Sequence, residues 1–204
     1  MEGRARPLLE SELEPDPLRQ FERWFRAAAG AGLRAPEAMA VATADADARP
    51  SLRMVLLKHF DGDGFVFFTG YDSRKGRDLA ANPRAALLFY WDPLGRQIRI
   101  EGDAARTSAH ETERYFHSRP RGSQLAALAS IQSAVIPSRE ELDERYGRLA
   151  DELEGAEVPV PPTWGGFRVR PETYEFWQHR ENRLHDRLRY RRAGSRWVVE
   201  RLAP

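Results

Sequence analysis

The sequence predicts a mainly β, antiparallel barrel with flanking helices, and two observations predict it. Five short strand-like segments follow one another between residues 39 and 102 with tight turns between them, and strand patterning returns after residue 166 once an intervening helical stretch has ended. With 41% apolar and 31% charged residues over 204 positions and no internal repeat or low-complexity tract, the composition is that of one globular domain.

Residues 1–15 are rich in Arg, Glu and Pro and lack periodicity, so they are expected to form a mobile arm that orders on binding, ahead of a single domain over 16–204. Asp16 as N-cap, Pro17 at the first helical position, and Leu18, Phe21, Trp24 and Phe25 at helical spacing predict an amphipathic helix to about Gly30. Met39 to Ala44 reads as the first strand. Arg53 to Lys58 and Phe65 to Thr69 read as a hairpin closed by the turn Asp61-Gly-Asp-Gly64. Ser73 caps a short helix from Arg74 to Ala81, ended by Asn82-Pro83. Ala85 to Trp91 and Gln97 to Gly102 form another hairpin through Asp92-Pro-Leu-Gly95. Ser108-Ala-His-Glu111 is a capping box opening a helix through Tyr115 and Phe116, and Ser138-Arg-Glu-Glu141 opens another that stops before Gly155. Between those helices, Arg119 to Ser123 and Gln132-Ser133 read as connections rich in donors. Strands are expected again over Gly166–Arg170, Tyr174–Gln178, Arg183–Arg191 and Arg196–Leu202.

Several function classes are disfavoured at this stage. The 32 basic and 31 acidic residues leave a net charge of +1, so no global field steers the chain to nucleic acid or to a membrane surface. No apolar run is long enough to span a bilayer, and charges interrupt the first thirty residues where a signal peptide needs an apolar core; a cytoplasmic protein is expected. Without cysteine there is no disulfide, thiolate metal site or cysteine nucleophile, and the five His are not spaced as a zinc cluster. Redox chemistry would need an organic cofactor.

Three clusters carry chemistry. Arg53, Lys58, Arg74 and Lys75 gather at strand ends and at a helix N-terminus, where cations make sense if a phosphate docks on the free backbone N–H groups. Taken alone, Ser73-Arg-Lys75 reads better as a solvated basic turn. Tyr115, Arg119 and Ser123 offer a phenol, a guanidinium fork and a hydroxyl, phosphate ligands in type, or else a core anchor beside a solvated helix end. In Arg183-Leu-His-Asp-Arg-Leu-Arg-Tyr190, strand alternation puts Arg183, His185, Arg187 and Arg189 on one face, which by itself describes a solvated edge strand. Asp186 falls on the apolar side and must find an Arg or backbone donors; Trp177 either stacks on a flat ring or fills core.

Arg53-Met-Val-Leu-Leu-Lys58, Ser73-Arg-Lys75, Tyr115-Phe-His-Ser-Arg-Pro-Arg-Gly-Ser123, Trp164-Gly-Gly-Phe167 and Arg183-Leu-His-Asp-Arg187, in that order, resemble the pyridoxine/pyridoxamine 5′-phosphate oxidase family from about Asp16 to Pro204. The resemblance implies a split β-barrel that binds FMN (flavin mononucleotide) at the interface of a homodimer. It implies oxidation of pyridoxine 5′-phosphate and pyridoxamine 5′-phosphate to pyridoxal 5′-phosphate, with oxygen as acceptor and hydrogen peroxide, plus ammonia from the amine, as by-products. Carried over by position, the flavin contacts are Arg53, Met54, Val55, Leu56, Leu57, Lys58, Phe68, Thr69, Arg74, Lys75, Gln97, Gln132, Ser133, Trp177 and Arg187. Lys58, Tyr115, Arg119 and Ser123 surround the substrate phosphate; Arg183 and His185 lie over the pyridine ring as the catalytic pair. No metal is implied.

The chain departs from the family's pattern at Phe68, where many relatives have Tyr, at Ile131, where Lys is common, and at Ala134, which replaces a Ser. The arm around Arg4-Ala-Arg-Pro-Leu-Leu9 matches only loosely, so no site residue is assigned there. A related flavin oxidase acting on a phenazine-type tricyclic substrate is the nearest alternative, and a flavin or pyridoxal phosphate carrier without turnover is a third. Lys58 with the Tyr115/Arg119/Ser123 set disfavours the first of these, and Arg183 with His185 the second.

Overall fold

The computed structural model describes residues 6–204. Its nine strands form one antiparallel sheet that curls into a split β-barrel: β1 (Ala38–Ala44), β2 (Pro50–Leu56), β3 (His59–Asp61), β4 (Gly64–Gly70), β5 (Arg84–Trp91), β6 (Arg96–Arg106), β7 (Trp164–Gln178), β8 (Asp186–Ala193) and β9 (Arg196–Arg201). The order along the sheet is β2-β1-β5-β6-β7-β4-β3, with β8 and β9 continuing from the second half of β7. Five helices flank it: α1 (Pro17–Gly30), α2 (Arg74–Ala81), α3 (Ala109–Ser118), α4 (Arg121–Ala129) and α5 (Arg139–Glu152). Among the described residues no helix is long and apolar enough to cross a membrane.

The core explains why these elements meet. Helix α1 starts where Asp16 accepts from Leu18 N–H, and its apolar stripe plugs the sheet's concave face. Phe21, fully buried, packs edge-on against Phe60, Phe65 and Phe89 at 4.8–5.2 Å, and Trp24 meets Phe176 at 5.2 Å. A second, smaller core joins Phe116, Leu125 and Val158 with Trp164 and one side of α5.

Four expectations are corrected. The Arg53–Lys58 run does not form a hairpin with Phe65–Thr69. Strand β2 pairs with β1, in register from Ala38↔Leu56 to Ala44↔Pro50, and the Asp61–Gly64 turn joins only the short β3 to β4 at the sheet's other edge. Leu57, buried in the core, and Lys58, whose N–H donates to Val66 O at 2.8 Å, make the crossing between edges. A two-residue turn was the stronger local signal, but it could not say how far the paired strands extend.

The 119–133 connection contains α4, absent from the sequence reading; Leu125 packs with Phe116 and α5, and Ala129 is buried, in a stretch without a side-chain cap. Strand β8 starts at Asp186, because residues 181–183 make a 3-10 turn with Asn182 and Arg183 at φ 56° and 63°. Arg183 and His185 therefore precede the strand, and Leu184 is exposed rather than packed with Leu188 and Tyr190. The expected arm is described only from Arg6, its first five residues lying outside the described residues; most side chains from there to Pro15 are exposed, and Leu8 is buried. Leu8 is in the main core, residues 10–12 form a 3-10 turn, and Arg201 binds both Glu10 and the Leu8 carbonyl.

Strand β7 is also continuous where two strands were expected. Pro171 is tolerated inside it because, on the edge away from β6, pairing with β4 ends at Val169 and pairing with β8 reaches only to Thr173, so Pro171 faces no partner strand there. Opposite it the β6–β7 register shifts at Glu101/Gly102, where a Cβ on Gly102 would lie 1.9 Å from the Arg170 carbonyl oxygen.

Candidate active site

Strand β2, the end of β4, the start of α2, the α3–α4 corner and the 130–133 turn enclose a cavity of about 790 Å³. That is within the range of cofactor and substrate sites. Alternation along β2 turns Ser51, Arg53 and Val55 inward. Arg53 Nη1 donates to Thr43 Oγ1 at 2.7 Å and to Val41 O at 3.3 Å, Nη2 to Ser51 Oγ, and the guanidinium lies 3.8 Å from Asp78. Thr43 Oγ1 in turn donates to Asp78 at 2.6 Å, so a buried carboxylate backs the arginine. Burial pulls the Arg53 pKa down, and Asp78 opposes the shift.

Ser73 caps α2 by accepting from Gly76 N–H, which brings Arg74 and Lys75 to the helix start. Lys75, almost wholly buried, donates to Thr69 Oγ1 at 2.8 Å, Gln132 Oε1 at 3.1 Å and Ser73 Oγ at 3.3 Å. No carboxylate lies within ion-pair distance of it among the described residues, and burial, helped by Arg53, lowers its pKa to about 8. Gln132 Oε1 also accepts from Thr69 Oγ1 and Gly70 N–H, and Ser133 Oγ accepts from Arg74 N–H, so the 130–133 turn is fastened to this wall.

The opposite wall is built by α3 and α4. Ser108 caps α3, Phe116 anchors it in the second core, and Tyr115 and Arg119 follow one another one turn apart. Arg119 Nη2 donates to Ser123 O at 2.7 Å, and its guanidinium stacks 4.7 Å over Trp164. Its Nη1 is buried without a partner among the described residues, and that burial lowers its pKa. Tyr115 stacks on Phe68 at 3.9 Å, with Trp164 parallel beyond at 5.5 Å from Phe68; burial raises the Tyr115 pKa and Arg119 opposes it.

The cavity thus gathers Arg53, Met54, Val55, Leu56, Lys58, Phe68, Thr69, Arg74, Lys75, Gln132 and Ser133 with Tyr115, Arg119 and Ser123. Leu57 is core instead. Gln97, Trp177, Arg183, His185 and Arg187 do not line it. Gln97, Trp177 and Arg187 stand side by side on β6, β7 and β8 in one register, with the His185 ring 4.6 Å from Trp177. Arg187 is held there by Glu175 at 2.8 Å and by Ala203 O at 2.9 Å. His185 Nδ1 accepts from Arg180 N–H, and burial with the neighbouring His179 and Arg183 lowers its pKa.

Residues missed in the sequence are Ser51, Pro120 and Trp164 on the cavity wall, and Thr43 and Asp78 behind Arg53. Alternation along β2 pointed to Ser51; nothing local pointed to Asp78, 25 positions beyond Arg53. Among the described residues no group of His, Asp and Glu could hold a metal ion.

Residues 25–178 match the family model described as pyridoxamine 5′-phosphate oxidase, and residues 164–204 match the pyridoxine 5′-phosphate oxidase C-terminal dimerisation region. The latter includes Trp177, Arg183, His185 and Arg187. The chain is 59% identical to a pyridoxine/pyridoxamine 5′-phosphate oxidase of Rubrobacter xylanophilus over 97% of this chain and 91% of that protein. It is 56% identical to one of Streptomyces avermitilis, over 98% and 92%. Among solved structures, PhzG from Burkholderia lata, in complex with tetrahydrophenazine-1-carboxylic acid, aligns with a TM-score of 0.92 at 34% identity, covering 98% of this chain and all of that one. The matched models span almost the whole sequence, and the chain belongs to the pyridoxamine 5′-phosphate oxidase family.

Proposed function

We propose that the chain is an FMN-dependent oxidase that converts pyridoxine 5′-phosphate and pyridoxamine 5′-phosphate to pyridoxal 5′-phosphate, with oxygen as electron acceptor. The observation that carries this reading is one cavity with two sets of anion donors, Arg53/Arg74/Lys75 on one wall and Tyr115/Arg119/Ser123 on the other, with Lys58 also lining it. Two phosphorylated molecules side by side satisfy both sets.

The residues present fit the flavin phosphate. Lys75 is buried among neutral oxygens without a counter-charge, and an anion beside it restores the charged ammonium that burial disfavours. Arg119 Nη1 is the matching orphan donor on the substrate side. Bound FMN supplies the two-electron acceptor for the hydride leaving the substrate's 4′ carbon. The chain's own part is to bind and orient. Arg53, Arg74, Lys75, Thr69, Gln132 and Ser133 hold the cofactor, and Lys58, Tyr115, Arg119 and Ser123 hold the substrate phosphate.

Arg183 and His185 act in this reading from a second copy of the chain, together with Gln97, Trp177 and Arg187. Two observations support a homodimer with shared sites: these residues lie apart from the cavity within the protomer, and β2, on the cavity's rim, exposes Leu52, Met54 and Leu56 at 67%, 64% and 41%. Arg183 favours negative charge developing near the reacting carbon. His185, whose Nδ1 accepts from Arg180 N–H, carries the proton of its neutral ring on Nε2, where it can donate to substrate.

Full-length similarity to the phenazine-bound PhzG favours a second reading, oxidation of a tricyclic substrate. A substrate without phosphate leaves Arg119 Nη1 unmet. The test is anaerobic: load the protein with FMN, add pyridoxine 5′-phosphate, follow the visible flavin band, then admit air. Bleaching and recovery, with pyridoxal 5′-phosphate and peroxide formed, is the expected result. A band that shifts without bleaching overturns the reading in favour of a carrier, and bleaching only by a reduced phenazine precursor favours the second.

A further inference from the structure

The loop between β7 and β8 carries Arg183 and His185, and its conformation is not one the sequence adopts freely. Asn182 and Arg183 both sit at positive φ, 56° and 63°. Arginine there is strained, and such backbone persists only where its surroundings over-determine it. Within the loop, Arg180 N–H donates to His185 Nδ1 and Leu184 N–H to Glu181 O, each at 3.1 Å. Those bonds close the turn on itself without tying its far end to the body of the protein.

The tie is Asp186. Its carboxylate, 17% exposed, accepts from Arg201 Nη1 at 2.7 Å on one oxygen and from Leu8 N–H at 3.1 Å on the other, and the second oxygen lies 3.7 Å from Arg180 Nε. One group therefore joins Arg180 near the start of the loop, the last residue of β9 and the N-terminal segment. Arg201 completes the frame: it chelates Glu10 at 2.7 and 2.8 Å and donates to Leu8 O at 2.9 Å, while the Leu8 side chain sits in the main core. Arg180, Asp186, Arg201 and Glu10 alternate in sign, so the network is internally compensated, and partial burial strengthens each attraction relative to open solvent.

We propose that Asp186 is a positioning residue for the Arg183–His185 loop, and that residues 8–10 are the strut through which the loop is held in its productive shape. The catalytic consequence rests on the reading of Arg183 and His185 given above; the anchoring does not. Arg53, Arg74 and Lys75, which hold the flavin phosphate in this reading, make their bonds elsewhere, so retention by that wall is separable from loop order, although Trp177 and Arg187 border the loop.

Amide hydrogen exchange on the FMN-loaded full chain tests it, alongside flavin content per chain and steady-state kinetics with pyridoxine 5′-phosphate. Asp186→Ala is expected to speed exchange at 180–185 at least tenfold, leave exchange in β6 and the first half of β7 unchanged, keep flavin within twofold of the parent, and lower kcat at least tenfold. Asp186→Asn, which can still accept from Leu8 N–H, should lose less on every count. Arg201→Lys, which keeps the charge but not the fork, reads the same loop should Asp186→Ala fail to fold, with exchange at least threefold faster. Loop exchange within twofold of the parent in the variants that fold overturns the proposal, as does exchange that quickens throughout the sheet. Faster loop exchange with unchanged kcat supports the anchoring and overturns the catalytic reading of Arg183 and His185.

Discussion

Lys75 Nζ lies 2.8 Å from Thr69 Oγ1 and, with Gln132 and Ser73 as its other partners, is surrounded only by neutral oxygens. Its folded-state pKa of about 8 lies below the ordinary 10.5, so the folded chain releases this proton first. This group alone therefore makes stability rise with pH between about 8 and 10.5, where the unfolded chain still holds the proton. Binding of a phosphate reverses the shift and takes up a proton. FMN affinity should be flat below pH 8 and fall above it by up to about tenfold per pH unit. Fluorescence titration of FMN from pH 7 to 9.5 measures this, and Lys75→Met should flatten the profile.

Arg119→Ala removes the guanidinium stacked on Trp164 together with its orphan Nη1. A charge-assisted contact of about 2–3 kcal/mol predicts a loss of roughly 30- to 150-fold in kcat/KM for pyridoxine 5′-phosphate, mostly in KM. Flavin content should stay at the parent's level. Arg119→Lys should recover only part, since a point charge replaces a fork.

Arg183→Ala and Arg74→Ala separate the two roles assigned. The first should leave flavin bound and reduce kcat by about 10²-fold or more, in the range set by loss of one preorganised electrostatic donor. The second should mainly weaken flavin retention. Absorbance at the flavin band after gel filtration, with kinetics at saturating FMN, distinguishes them; equal flavin loss in both would sink the division.

Met54→Asp places a carboxylate in the exposed apolar row of β2. Expected outcomes are a shift to monomer in analytical ultracentrifugation and loss of flavin retention, because each site would then lack Gln97, Trp177 and Arg187. A dimer with full flavin content would remove β2 from the interface.

Gly102→Ala should destabilise the fold by about 2–4 kcal/mol, as the new Cβ meets the Arg170 carbonyl oxygen at 1.9 Å across the β6–β7 bulge. Urea unfolding of the FMN-free protein gives the value directly.

Local chemistry was enough to read much of this protein. Asp16-Pro17, Ser73, Ser108 and Ser138 each mark a helix start because a side-chain oxygen must meet free backbone N–H groups within three residues, and the structure has a helix at each. Alternation gave most strands, and ordered motifs gave the family. What the sequence alone left undecided are the relations between distant segments: that β2 pairs with β1 rather than β4, that Asp78 backs Arg53, and that Leu8 and Arg201 meet at Asp186. Alternation also extended β8 back through Arg183 and His185, whereas tertiary contacts to Asp186 hold those residues in a strained turn. Period-two patterning reports which face a residue would take if it were in a strand. Whether it is in one depends on partners that only the folded chain supplies.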